Sequence, residues 1–232
     1  MDNTFWKKYI EIYDRLNDVY PYRDLIEKII DELKVCAGEK ILDAGGGTGN
    51  VSTKIIELGA RVVLLDNSEE AIKYFLGKNK KSETIKHDLR NKLPFSKYEF
   101  DKIVCNNTLY ILETKFYNQI LREFNRVLRG GGLLILSNPI RGATPYRILL
   151  DHFKITIQKR GFLSLLKDIF TKIKYLLLIL YYNHRIKSKS KTEYHFFGPK
   201  EQEELLSKNN FRVIKSIKVY SNQNILTVAV KK

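Results

Sequence analysis

Apolar and polar positions follow two different periods along the chain. Short unbroken apolar runs, Ile41–Leu42, Val62–Leu65, Ile103–Cys105 and Leu133–Leu136, suit strands buried on both faces of a parallel sheet. Between them the apolar residues recur at helical spacing: Leu25, Ile26, Ile29, Ile30 and Leu33, then Val51, Ile55, Ile56 and Leu58, then Phe116, Ile120, Leu121, Phe124, Val127 and Leu128. Glu83–Leu89 adds a third strand running into a loop, and Phe211–Ile214 with Ile225–Val230 adds a closing pair. Strands alternating with helices predict an α/β fold with a doubly wound, mostly parallel seven-stranded sheet. Arg129-Gly-Gly-Gly132 reads as a turn between a helix and the fifth strand, and Phe197-Gly-Pro199 as the start of a late helix. Thr4 to Tyr20 carries Trp6, Tyr9, Ile10, Tyr13, Leu16 and Tyr20 as one helical stripe.

Chemistry enters at Lys40-Ile-Leu-Asp-Ala-Gly-Gly-Gly-Thr-Gly-Asn-Val51. Gly45, Gly47 and Gly49 let the backbone turn sharply and approach a ligand closely, so this stretch reads as the floor of a nucleoside-cofactor site. Its amides are expected to face an anionic group at a helix N-terminus. A dinucleotide fingerprint, G-x-G-x-x-G/A, counted from Gly45 needs Gly or Ala where Asn50 stands. Asp43, read as part of the turn, would repel a pyrophosphate and suits an ammonium group instead. The second strand ends in Asp66, 23 residues beyond Asp43. A carboxylate there suits ribose hydroxyls, which it accepts in charge-assisted hydrogen bonds.

With this acid-plus-glycines pattern, D-x-G-x-G-x-G, the sequence resembles the class I S-adenosylmethionine-dependent methyltransferases, most of all the small-molecule and quinone branch. The resemblance covers about residues 38–140 and 195–232. It implies S-adenosylmethionine as cofactor and in-line methyl transfer to a small lipophilic or aromatic acceptor. The residues it points to for the cofactor are Asp43, Ala44, Gly45, Gly47, Gly49 and Asp66. Asn67 is then expected at the adenine edge, Asp88 on the adenine amino group and Leu89 against the ring. Asn106, Asn107 and Tyr110 follow the fourth strand, whose carboxyl end faces the methyl group in this family. An N-terminal helix often closes the site, which brings in Tyr9 or Tyr13. Tyr13, Tyr110 and His195 are the candidates for acceptor contact, and no catalytic base is identifiable. Ser68 is expected to cap the helix that follows Asp66, with Glu69 and Glu70 in its first turn.

Composition changes this picture in one segment. The chain has 232 residues, enough for one α/β domain with an insertion, and a net charge of +15. Residues 1–140 hold 22 Lys+Arg against 20 Asp+Glu, residues 141–198 hold 12 against 3, and residues 199–232 hold 7 against 3. Three parts follow: a core with cap helices at 1–140, a basic insertion at 141–194 and a closing unit at 195–232. In the insertion Phe162, Leu166, Ile169, Ile173, Leu176 and Leu180 recur at helical spacing, and a basic run follows from His184 to Lys191. Its apolar stretch Tyr175–Tyr182 is eight residues, too short to span a bilayer, which takes about 20. The insertion reads as a helical lid on the carboxyl edge of the sheet. Alternatives are contact with an anionic membrane surface through residues 162–191, RNA binding in an RNA methyltransferase, or a non-catalytic S-adenosylmethionine-binding module. Cys36 and Cys105 read as free thiols, and His87, His152, His184 and His195 show no zinc-ligand spacing, so no metal is expected. Met1-Asp-Asn-Thr4 lacks a basic start followed by an apolar core, so a cytoplasmic protein is expected, with peripheral membrane association as the second expectation.

Overall fold

The computed structural model describes residues 3–166, 168–169, 173–175, 177–178, 181, 194–198 and 200–232. Each expected strand is present: β1 (Lys40–Ala44), β2 (Arg61–Asp66), β3 (Glu83–Lys86), β4 (Phe100–Asn106), β5 (Leu128–Pro139), β6 (Phe211–Val219) and β7 (Asn224–Lys231). They form one seven-stranded sheet in the order β3-β2-β1-β4-β5-β7-β6. The first five run parallel, and β7 lies antiparallel between β5 and β6. Around the sheet lie α1 (Asn3–Asp14), α2 (Tyr20–Leu33), α3 (Asn50–Glu57), α4 (Glu69–Lys78), α5 (Tyr117–Val127), α6 (Pro145–Arg160) and α7 (Glu201–Lys208).

Strand pleating explains why the apolar runs are unbroken. Leu42, Val63, Ile103 and Leu134 stand in register and pack with Leu121, Phe124 and Leu206 of α5 and α7. Their neighbours Ile41, Val62, Val104 and Ile135 point the other way, against Ile29, Leu33 and Ile55 of α2 and α3. Both faces are covered, so both faces must be apolar.

Three details depart from the expectations. The Thr4–Tyr20 stripe is not one helix: α1 stops at Asp14, a 3-10 turn spans Arg15–Asp18, and Tyr20 begins α2. Asn17 explains the break, because its Nδ2 donates to the Asp14 carbonyl at 3.0 Å and to Asn50 Oδ1 at 2.8 Å, tying the turn to the head of α3. Residues 129–132 are not a free turn but an irregular opening of β5, since Leu128 pairs with Phe100 and Leu133 with Lys102. A side chain at Gly132 would come within 2.8 Å of the Asp101 carbonyl, so β4 passes too near for anything but glycine. The late helix begins at Glu201, while Phe197 bridges Ile140; Pro199 lies outside the described residues.

Of the insertion, helix α6 leans on the start of α2. The Tyr20 amide donates to His152 Nδ1 at 3.1 Å, and the two rings lie 5.4 Å apart. The basic run His184–Lys191, together with Lys167, Lys172, Leu176 and Leu180, lies outside the described residues.

The chain runs outward from β1 to β3, then returns to pair β4 on the other side of β1. That reversal separates the loops after β1 and β4 and opens a crevice at the strands' carboxyl ends.

Candidate active site

Ala44, Asp66 and Asn106 are the last residues of β1, β2 and β4, and a cavity of about 360 Å³ opens beside them. It is lined by Asp43, Gly45 to Thr48, Asp66 and Ser68, and by the phenols of Tyr9, Tyr13, Tyr110 and Tyr194. Asn106, Asn107 and Thr108 also line it.

The glycine loop is a tie between strands, not an open anion cradle. The Gly45 amide donates to the Leu65 carbonyl at 2.7 Å, Gly46 to the same oxygen at 3.2 Å, and Gly49 to the Gly46 carbonyl at 2.9 Å. The Gly47 amide donates to Asp66 Oδ2 at 2.9 Å. These amides are spent inside the fold, which leaves the carboxylates to set the field. At Gly45, φ is +75° and a Cβ would sit 2.3 Å from Thr108 Cγ2, so the β4 loop closes directly over the turn. At Gly47 a Cβ would meet nothing within 4 Å, and that open space belongs to the cavity.

Asp43 is not in the turn but inside β1, 2% exposed, where its Oδ2 accepts from Ser52 Oγ at 2.6 Å. Burial pushes its carboxyl up to about 6; the Ser52 hydrogen bond opposes this and the nearby Asp66 charge adds to it. Asp66 accepts from Ser68 N as well as from Gly47, and burial raises its carboxyl too. Ser68 caps α4 by accepting from the Ala71 amide. Among the described lining residues there are two carboxylates and no Lys, Arg or His, so the cavity is electrostatically suited to a cation.

The phenols of the lining are held protonated. Burial raises Tyr9, Tyr13, Tyr110 and Tyr194, and pushes Tyr22 up to about 12 despite a 3.3 Å hydrogen bond from Asn50. They can donate and stack at neutral pH, but not act as phenolate bases. Two buried polar atoms on the lining have no partner: Thr48 Oγ1 and Asn106 Oδ1. A buried polar atom without a partner costs about 1–3 kcal/mol, so these two mark where a polar ligand belongs.

Of the residues singled out from sequence, Asp43, Gly45, Gly47, Asp66, Asn106, Tyr13 and Tyr110 line the cavity. Ala44 is buried in the core, and Gly49 caps α3 with its back against Phe75. Asn67, Asp88, Leu89 and His195 do not line it. The carboxylate of Asp88 is held by Arg90, at 3.0 Å from Nε and 2.6 Å from Nη2, and Leu89 packs in the core.

His195 is displaced by one residue's worth of backbone direction. Residues 194–197 alternate sides: Tyr194 and Phe196 pack on Tyr110, whereas His195 and Phe197 pack on Tyr117. His195 Nε2 lies 2.5 Å from Glu201 Oε1, so the ring is occupied away from the cavity, and Tyr194 takes the lining position. The signal was the period of two in Tyr-His-Phe-Phe. Tyr22, Thr48, Asn50 and Thr108 also line the cavity, and no pattern in the sequence singles them out.

Comparison with known proteins agrees with this geometry. Residues 41–132, β1 through the irregular opening of β5, match the family model described as "Methyltransferase domain". A glycine/sarcosine N-methyltransferase of Aphanothece halophytica is 32% identical over 131 residues, covering 54% of this chain and 48% of that protein. A ubiquinone/menaquinone biosynthesis C-methyltransferase of Blochmanniella floridana is 33% identical over 160 residues, covering 62% and 61%. The chain thus spans roughly half to two thirds of the length of curated relatives such as these. In three dimensions it is similar to a SAM-dependent methyltransferase from Aquifex aeolicus, with a TM-score of 0.62 at 17% identity over 97% of this chain and 98% of the other. Fold, acid-and-glycine loop and family match agree: residues 41–132 match a methyltransferase domain, and the chain has the fold of S-adenosylmethionine-dependent methyltransferases.

Proposed function

We propose that this protein transfers a methyl group from S-adenosylmethionine to a small, neutral, aromatic or lipophilic acceptor bound among Tyr9, Tyr13, Tyr110 and Tyr194. The observation that carries the cofactor assignment is the pairing of two carboxylates, buried Asp43 and half-buried Asp66, in a cavity whose described lining holds no cation. Such a field favours a ligand with an ammonium and a sulfonium and disfavours a pyrophosphate. Asp66 accepts ribose hydroxyls, the Asn106 side-chain amide oxygen Oδ1 and Thr48 hydroxyl are available to the polar tail, and Gly47 leaves room for close approach. Asn67, Asp88, Leu89 and His195 are not part of this proposed set. When bound, S-adenosylmethionine supplies an activated methyl group for displacement by the acceptor. The chain's part is alignment and exclusion of water, which can lower a barrier by about 7–11 kcal/mol without a base. Calorimetry is expected to show micromolar S-adenosylmethionine binding and none for NAD. Asp66→Ala weakens it by about 1.5–3 kcal/mol, the loss of a charge-assisted contact. A folded wild type that binds neither, or prefers NAD, overturns the assignment.

The acceptor class rests on the remaining lining. It offers phenol rings and neutral amides, which suit an uncharged ring better than a carboxylate. The relatives offer both kinds in their names, a glycine/sarcosine enzyme and a ubiquinone/menaquinone enzyme. Radiolabelled methyl transfer to a reduced naphthoquinone and to glycine separates the two: label is expected on the first alone. Tyr194→Ala is expected to raise KM for that acceptor about tenfold while cofactor affinity stays within about threefold, because Tyr194 faces the acceptor side. Label on glycine and not on the quinol overturns the neutral-acceptor reading.

A further inference from the structure

Helix α6 buries two polar residues and shows an apolar stripe to solvent. Its inward residues His152 and Thr156 are fully buried, with the His152 imidazole 3.2 Å from Asp168 and the Thr156 hydroxyl donating to the His152 carbonyl at 2.8 Å. Its outward residues Tyr146, Leu150 and Ile157 are 57%, 58% and 45% exposed. At 3.6 residues per turn these three fall within about 40° of arc, so they form one stripe. Gly161, at φ +81°, ends the helix, and Phe162 and Leu163 extend the apolar surface at 63% and 82% exposure. A helix adapted to water alone buries its apolar stripe and exposes its polar one. Here the apolar stripe faces out, which marks a surface that something apolar covers.

The charges at its border select the occupant. Exposed Arg147 and Lys154 flank the stripe on one side and Arg160 on the other. Residues 141–166 hold five Lys+Arg and one acid, Asp151. A second copy of the chain would set these cations against one another, which is repulsive. An anionic bilayer interface offers acyl chains to the stripe and opposite charge to its rim. We propose that the outer face of α6, continued by Phe162 and Leu163, seats this protein on anionic membrane with the helix lying in the interfacial plane. Among the described residues no helix is long and apolar enough to cross a membrane, so the contact is one of docking. This surface is independent of the chemistry in the cavity and lies N-terminal to most of the 162–191 segment that sequence alone points to.

Co-sedimentation of the full chain with vesicles tests it, using phosphatidylcholine alone and phosphatidylcholine mixed with phosphatidylglycerol. Wild type is expected to partition at least about tenfold more strongly onto the mixed vesicles, with binding lost at high salt. Leu150→Glu and Ile157→Glu should each weaken partition about tenfold. Removing Arg147, Lys154 and Arg160 together, each to Gln, should reduce it about fivefold per charge. Leu58→Glu, an exposed leucine on α3's end, should change nothing, and circular dichroism confirms that each variant folds. No vesicle binding by wild type, or equal binding to both vesicle types, overturns the proposal. So does a dimer that Leu150→Glu dissociates in the absence of lipid, or tRNA binding lost in the charge variant while vesicles remain unbound.

Discussion

Replacing Gly49 by alanine is expected to cost the fold about 4 kcal/mol, enough to remove a large share of a domain's net stability. Two penalties add. Its φ of +75° is a left-handed conformation that an L side chain adopts only at a cost of about 1–2 kcal/mol. Its added Cβ would stand 2.0 Å from Phe75 Cδ2 and 2.5 Å from Cε2, and Phe75 is itself fully buried, so the ring has nowhere to swing. Forcing such a contact costs about 1–3 kcal/mol more. Gly47 is the built-in control, with φ +56° and open space around the would-be Cβ. Gly47→Ala should carry the backbone penalty alone, so urea unfolding of the two variants should differ by about 2 kcal/mol. Equal losses would mean that Phe75 yields and that the α3–α4 contact does not lock the loop.

The second large effect is a trade between stability and ligand binding at Asp43. Its carboxyl titrates near 6 in the folded chain, against 3.8 when free, because burial disfavours the charged form. Well below pH 4 the group is protonated whether the chain is folded or not, and it costs nothing. As pH rises from about 4 to about 6 the unfolded chain ionises while the buried group still holds its proton, and about 3 kcal/mol of stability is withdrawn by the time pH passes 6. Asp43→Asn keeps an oxygen to accept from Ser52 Oγ and removes the charge. It is therefore expected to stabilise the ligand-free protein by up to about 3 kcal/mol at pH 8 and by little at pH 4, read from denaturant midpoints at the two pH values. The same change should weaken S-adenosylmethionine binding, because the cost of that charge is offset by a cation in the cavity. Wild-type affinity should fall as pH drops below about 6, and the variant should lose that dependence. A variant destabilised equally at both pH values would show that the carboxylate is held by its contacts and not strained by its burial.

The alternation of apolar runs and helical stripes was enough to determine an α/β sheet, because strands covered on both faces have no polar side to show. Arg61–Asp66 and Phe100–Asn106 appear at the bounds their sequence implies, with Asp66 at a strand end where backbone direction alone places it on the crevice. The glycines were equally legible as a strand-to-helix turn, although Asp43, read with them, lies inside β1. Which amides that turn keeps for a ligand was not, since the Leu65 carbonyl and the Asp66 carboxylate that occupy them come from the neighbouring strand. His195 and Tyr194 exchange roles for a similar reason. In extended chain neighbouring residues face opposite ways, and only the bridge from Phe197 to Ile140 decides which of the two faces the cavity. Asp88 is kept from the cavity by Arg90, two residues away, a local ion pair that competes with any ligand for the same oxygens. The aromatic lining gathers Tyr9 and Tyr13 from α1, Tyr110 from the β4 loop and Tyr194 from the end of the insertion. Residues so far apart in the chain meet only because the sheet reverses direction between β1 and β4, and that reversal is a property of the packed layers, not of any one stretch of sequence.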